Sequence, residues 1–80
     1  MNDSSNLSQA VRKILMESES SVELRCIYDR IEDSFPLTEY QKDYTKYKEP
    51  RFHHEIRAIL NQLVQDGEVK IVSRGIYRKN

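Results

Sequence analysis

Arg51, His54, Arg57 and Asn61 recur every three or four residues, so on a helix they share one broad face. Arginine presents a planar fork of N–H donors that fits two oxygens at once, as on a phosphate or on the O6/N7 edge of guanine. The amide of asparagine can pair in the same bidentate fashion with adenine. Ala58 stands in the middle of this face and is small enough to let the backbone come close to a partner. Farther along lie Lys70, Arg74, Arg78 and Lys79, cations that can hold backbone phosphates without reading bases. The chemistry on offer is therefore hydrogen-bond donation to an anionic, base-bearing polymer.

Other reactive residues form no comparable set. His53 and His54 are neighbours, and adjacent helical residues point about 100° apart. No third histidine and no cysteine pair completes a metal site, so neither zinc nor any cofactor is expected. Cys26 is the single cysteine; it excludes an internal disulfide and reads as a buried, inert thiol on a helix near the core. Tyr40, Tyr44 and Tyr47 could stack on bases, but Tyr40 and Tyr44 read first as packing a short helix on the core, with Tyr47 partly exposed. Neither a glycine-rich phosphate loop nor a nucleophile–base set is present, and 80 residues leave little room for a deep pocket. A binding module, not an enzyme, is expected.

These residues need elements to hold them. Residues 1–6 are polar and are expected to form a flexible N-terminus, with residues 7–80 as one domain. Ser8 can cap a first helix in which Leu7, Val11, Ile14 and Leu15 fall at helical spacing, ending near Glu17–Ser18. Val22 reads as a short bridge to a later strand. A second helix starting at Glu23 or Ser21 buries Leu24, Ile27, Tyr28 and Ile31, and Pro36 forces Phe35 out of helical geometry. Thr38 caps a short helical turn from Glu39 to about Tyr44, and 45–49 is a polar loop. Pro50 suits the first position of a long helix. Phe52, Ile56, Ile59, Leu60 and Leu63 make its inner face, and Gly67 is the left-handed stop. Val69–Val72 and Ile76–Arg78 are strands around a Ser73-Arg74-Gly75 loop, with Val69 and Ile71 pointing inward.

Helix, short strand, helix, extra turn, long helix and terminal two-stranded hairpin form an α+β order. It is that of a winged helix-turn-helix: three main helices plus a short turn, with the hairpin as wing. In that arrangement the long helix enters a major groove, which is wide enough to admit one. The charge distribution agrees. The chain is neutral overall, yet residues 50–80 carry six Lys or Arg against three Asp or Glu, while residues 1–49 carry seven against ten. An intracellular, cytoplasmic location is expected from the cysteine usage and from a start that does not read as a signal peptide; no apolar run approaches the roughly 20 residues that cross a bilayer.

The stretch from Leu37-Thr38-Glu39 through the Lys-rich loop and Arg51-Phe52-His53-His54-Glu55-Ile56-Arg57-Ala58-Ile59-Leu60 to Leu63…Gly67…Arg74-Gly75-Ile76-Tyr77-Arg78 resembles the N-terminal winged-helix module of Mrr-type restriction endonucleases. The resemblance implies a part in restriction-modification: a module that recognises DNA beside a separate nuclease domain that cuts it, a domain for which this chain has no room. Duplex DNA is thus the expected partner, with Arg51, His54, Arg57 and Asn61 on the helix and Lys70, Arg74 and Arg78 on the wing as its contacts. The alternative is a winged helix that binds another protein, favoured by zero net charge and by the acidic second helix with Asp29, Glu32 and Asp33.

Overall fold

The computed structural model describes residues 3–44 and 48–80. Among them are four helices and a three-stranded antiparallel sheet, in the order α1 (Asp3–Glu17), β1 (Val22–Glu23), α2 (Leu24–Ser34), α3 (Glu39–Lys42), α4 (Arg51–Gln65), β2 (Val69–Ser73) and β3 (Ile76–Lys79). The fold is α+β, and the sheet runs β1-β3-β2.

Leu7, Val11 and Leu15 are fully buried along α1. The helix starts at Asp3, so Ser8 lies inside it and is not its cap. Apolar period dates a helix only from its first buried residue; the polar turn ahead of Leu7 leaves no mark in that period. Val22 forms the expected bridge: it pairs with Tyr77, Glu23 pairs with Ile76, and the Leu24 N–H donates to the Gly75 carbonyl at 2.8 Å. The two-residue strand thereby ties the start of α2 to the hairpin turn.

In α2, Ile27 and Ile31 are buried, with Leu24 and Tyr28 half-buried beside them. Phe35 turns extended (φ −104°, ψ 133°) ahead of Pro36 and ends the helix. Cys26 is exposed, not buried as expected. It precedes buried Ile27 by one residue, and one helical step of about 100° is enough to carry a small side chain into solvent.

Thr38 caps α3 through a reciprocal pair of bonds. Its Oγ1 accepts from the Gln41 N–H at 3.1 Å, and Gln41 Oε1 accepts from the Thr38 N–H at 2.9 Å. The buried residue of this four-residue helix is Gln41, whereas Tyr40 and Tyr44, expected on the core, are 68% and 65% exposed. So short a helix turns only one side inward, and the capping pair fixes that side on Gln41. Tyr47 lies outside the described residues, as do the other residues of the 45–47 stretch. Tyr44 and Pro50 form an isolated antiparallel bridge, and the Arg51 N–H donates to the Asp43 carbonyl at 3.0 Å.

Phe52, Ile56, Leu60 and Leu63 of α4 complete the core with Val69 and Tyr77 of the hairpin. Pro50 sits one place before the first helical residue, extended at φ −61° and ψ 145°. At the far end Gly67 takes φ +79°. Its N–H donates to Val64 and the next N–H, of Glu68, to Leu63. These are the two bonds of a Schellman stop, and they aim β2 back along the helix.

The hairpin has a two-residue turn, Arg74-Gly75, with Gly75 at φ +75°, in place of the expected three-residue loop. Val72 is the extra residue of an irregularity between the Ile71–Tyr77 and Ser73–Ile76 pairs. Val69 is buried as expected, but Ile71 is 53% exposed. It shares a face with its partner Tyr77, yet β2 is an edge strand with no neighbour on its far side, so the core does not reach under it.

Candidate nucleic-acid interface

Each donor expected on the long helix stands on or beside its outer face, but their surroundings differ. Asn61 is exposed near the middle of α4 and, among the described residues, its side chain has no bonded partner. Arg51 lies at the first turn. Its guanidinium is 3.6 Å from the Asp43 carboxylate and 4.3 Å above the Tyr40 ring centre. Tyr40 thus supports Arg51 by a cation–π contact while remaining open to solvent.

His54 and Arg57 belong to a denser arrangement. Glu49, just ahead of the helix, takes both terminal nitrogens of Arg57: Nη1 donates to Oε2 at 3.4 Å and Nη2 donates to Oε1 in a short, charge-assisted bond. Nη1 also donates to the Tyr28 hydroxyl at 3.4 Å, and Nη2 lies 2.9 Å from His54 Nδ1. A guanidinium only donates, so Nδ1 must accept, and the His54 proton is assigned to Nε2. That nitrogen is 3.0 Å from Glu49 Oε1. Behind the cluster, the His53 ring stacks on Tyr28 (centroids 3.7 Å, planes 2° apart), and Phe52 meets both edge-on. Arg57 thus sends its terminal N–H groups into the protein, whereas sequence spacing had offered it wholly to a partner.

The electrostatics follow from this packing. The Arg57 hydrogen bond holds the Glu49 carboxyl below its ordinary pKa, and the same bond holds the Arg57 proton more tightly. Burial lowers His53 and raises Tyr28, the latter against the opposing pull of Arg57. His53 and Glu49 act on stability with the same sign. Each binds protons less readily folded than unfolded, so the unfolded chain takes up more protons as pH falls and stability drops. The His53 contribution is whole above its ordinary value near 6.5 and is lost as pH falls through its folded value; that of Glu49 is whole above about 4.5 and lost below. The melting temperature is expected to decline in two stages on acidification from pH 7.5. His53→Gln removes the first stage and Arg57→Ala flattens the second. Circular-dichroism melts across pH test this, and a wild-type melting temperature constant from pH 7.5 to 5 would contradict it.

On the hairpin, Lys70 and Arg74 are exposed and have no bonded side-chain partner among the described residues. Arg78 is exposed, with Nη2 3.5 Å from the Glu19 carbonyl. Lys70 and Arg78 are register partners and so stand side by side on one face of the sheet. Lys79 points elsewhere, donating to the Met16 carbonyl at 3.0 Å, and Arg12 of α1 clasps Glu68 at 2.6 Å. These two contacts tie the ends of the hairpin to α1.

Glu49 and Tyr28 were not among the residues singled out from sequence. Tyr28 was legible as a buried position of the second helix, but its hydroxyl partner was not. Glu49 lies eight residues from Arg57 and outside the helix, where no periodicity connects them. Among the described residues no group of three or more His, Cys, Asp or Glu could hold a metal ion, and no helix is long and apolar enough to cross a membrane. Compared with protein-family models, curated proteins and solved structures, the chain finds no match.

Proposed function

We propose that the chain is a winged-helix module that binds duplex DNA without catalysing a reaction on it, with α4 entering the major groove and the β2–β3 hairpin as the wing. The order of elements and the β1-β3-β2 sheet support the fold assignment. One observation carries the function: Lys70 is paired directly with Arg78, in a hairpin (69–79) that holds four Lys or Arg and no Asp or Glu. Like charges facing each other across a sheet repel. A row of phosphates relieves that repulsion, whereas an uncharged partner does not. Arg51, His54 and Asn61 then face the groove, Asn61 as the base reader, while Lys70, Arg74 and Arg78 hold the backbone. By its resemblance to the Mrr-type module, the domain serves as the recognition part of a restriction-type nuclease.

Fluorescence anisotropy with a mixed-sequence duplex tests the proposal. With four or five phosphates engaged, the log–log salt slope should be about −4. Asn61→Ala should cost roughly 1–3 kcal/mol on a preferred sequence and little on others. No binding at low salt at protein concentrations on the order of tens of micromolar would sink it.

A second reading has its own support. Tyr40 and Tyr44 are exposed aromatics, and α2 turns Asp29, Glu32 and Asp33 outward. A protein-binding winged helix would use these surfaces, and their NMR signals, not those of α4 and the hairpin, would then move on binding.

A further inference from the structure

Arg57 and His54 stand one turn apart on α4, and both side chains approach one carboxylate. Arg57 supplies both terminal nitrogens as donors, and His54 brings its enclosed Nε2 to 3.0 Å, close to the carboxylate but outside hydrogen-bond geometry with it. A guanidinium fork meets a phosphate with the same bidentate geometry as it meets a carboxylate. We propose that Arg57 and His54 form an oxyanion site, which Glu49 fills in the free protein and a DNA backbone phosphate takes over on binding.

Three features make the carboxylate the replaceable member. Both donors are fixed on a fifteen-residue helix that is anchored in the core through Phe52, Ile56 and Leu60, while Glu49 precedes that helix. The residue before it, Lys48, has φ +61°, a conformation that non-glycine residues rarely adopt. The ion pair also lies near the surface, with the Arg57 and Glu49 side chains 38% and 27% exposed, so a solution anion can reach the guanidinium, while His54 Nε2 is covered as long as Glu49 is in place. The Tyr28 hydroxyl accepts from Arg57 Nη1 independently of Glu49 and keeps the fork oriented during the exchange. The nature of the incoming oxyanion rests on the DNA-binding reading; the site itself does not.

The test has two arms. In the first, inorganic phosphate is titrated into wild-type protein, Glu49→Gln and Glu49→Gln/Arg57→Ala, with NMR following the His54 imidazole and the Arg57 guanidinium. Phosphate should shift both groups in Glu49→Gln and do so in the wild type only at severalfold higher concentration. The Glu49→Gln/Arg57→Ala protein should show no His54 response. Failure of Glu49→Gln to respond, with its amide spectrum showing an intact fold, overturns the site. Glu49→Ala, which removes the competing side chain altogether, must give the same gain. In the second arm, Glu49→Gln should bind a mixed-sequence duplex roughly fivefold tighter, the order of one surface ion pair. Its salt slope should stay that of the wild type, because the same phosphate is engaged in both complexes. Duplex binding with unchanged affinity overturns the exchange. A phosphate response at His54 and Arg57 without duplex binding by either protein removes DNA as the ligand and leaves the oxyanion site standing.

Discussion

Phe52→Ala is expected to leave the domain largely unfolded at physiological temperature. Phe52 is among the largest fully enclosed side chains, 2% exposed, on the face of α4 that also buries Ile56, Leu60 and Leu63. Truncating a buried phenylalanine costs about 3–5 kcal/mol, because the apolar surface is lost and the cavity closes only in part. A domain of 80 residues has about 4–12 kcal/mol in total. One substitution therefore removes a quarter or more of the stability, and the melting temperature should fall by roughly 12–40 °C. The damage would extend beyond the core. The Phe52 ring lies edge-on to His53 at 4.5 Å and to Tyr28 at 6.3 Å, so its loss loosens the stack behind the Glu49–Arg57 cluster. Phe52→Leu fills most of the space and should cost about 1.5 kcal/mol or less. Urea denaturation of the three proteins measures both effects. A loss under 1 kcal/mol for Phe52→Ala would mean that the core closes without this ring.

The contrast between Phe52 and Arg57 shows what could be seen in the residues alone. Phe52, Ile56, Leu60 and Leu63 were legible because burial imposes a period on a helix, and the same rule found Leu7, Val11 and Leu15. Gly67 and Val22 were legible from local geometry: one conformation admits glycine best, and one isolated β-branched residue between helices suits a bridge. The fate of Arg57 was not legible. Its place on the wheel was correct, but a long flexible side chain chooses its partner in three dimensions, and Glu49 reaches it from outside the helix. Tyr40 and Tyr44 misled for a related reason. An aromatic side chain signals packing, yet a four-residue helix has one inward position, and Gln41 holds it through its bonds to Thr38 and Glu55. Ile71 was misplaced because alternation gives the face of a strand and not how far the core extends beneath it.

Removing the wing charges should produce the largest change in binding. The variant Lys70→Thr/Arg74→Ala/Arg78→Thr keeps residues suited to strands at the two paired positions and relieves the like-charge contact across the hairpin. Its melting temperature should therefore stay close to that of the parent. Its affinity should not. Each phosphate contact contributes about 0.9 to the log–log salt slope, so three fewer contacts reduce the slope by about 2.7. At 0.1 M salt the same arithmetic gives each contact about 0.9 log units of binding, and the triple variant should bind several hundredfold more weakly, on the order of 10^2.7. At 0.5 M salt each contact contributes only about 0.3 log units, and the gap should shrink to roughly sixfold. A general loss of fold would weaken binding at every salt concentration, and a lost base contact would do so mainly on one sequence. Only lost phosphate contacts make the gap close as salt rises. Parallel salt-dependence lines for the two proteins would mean that the hairpin does not touch the backbone, and the pairing of Lys70 with Arg78 would then have no part in holding DNA.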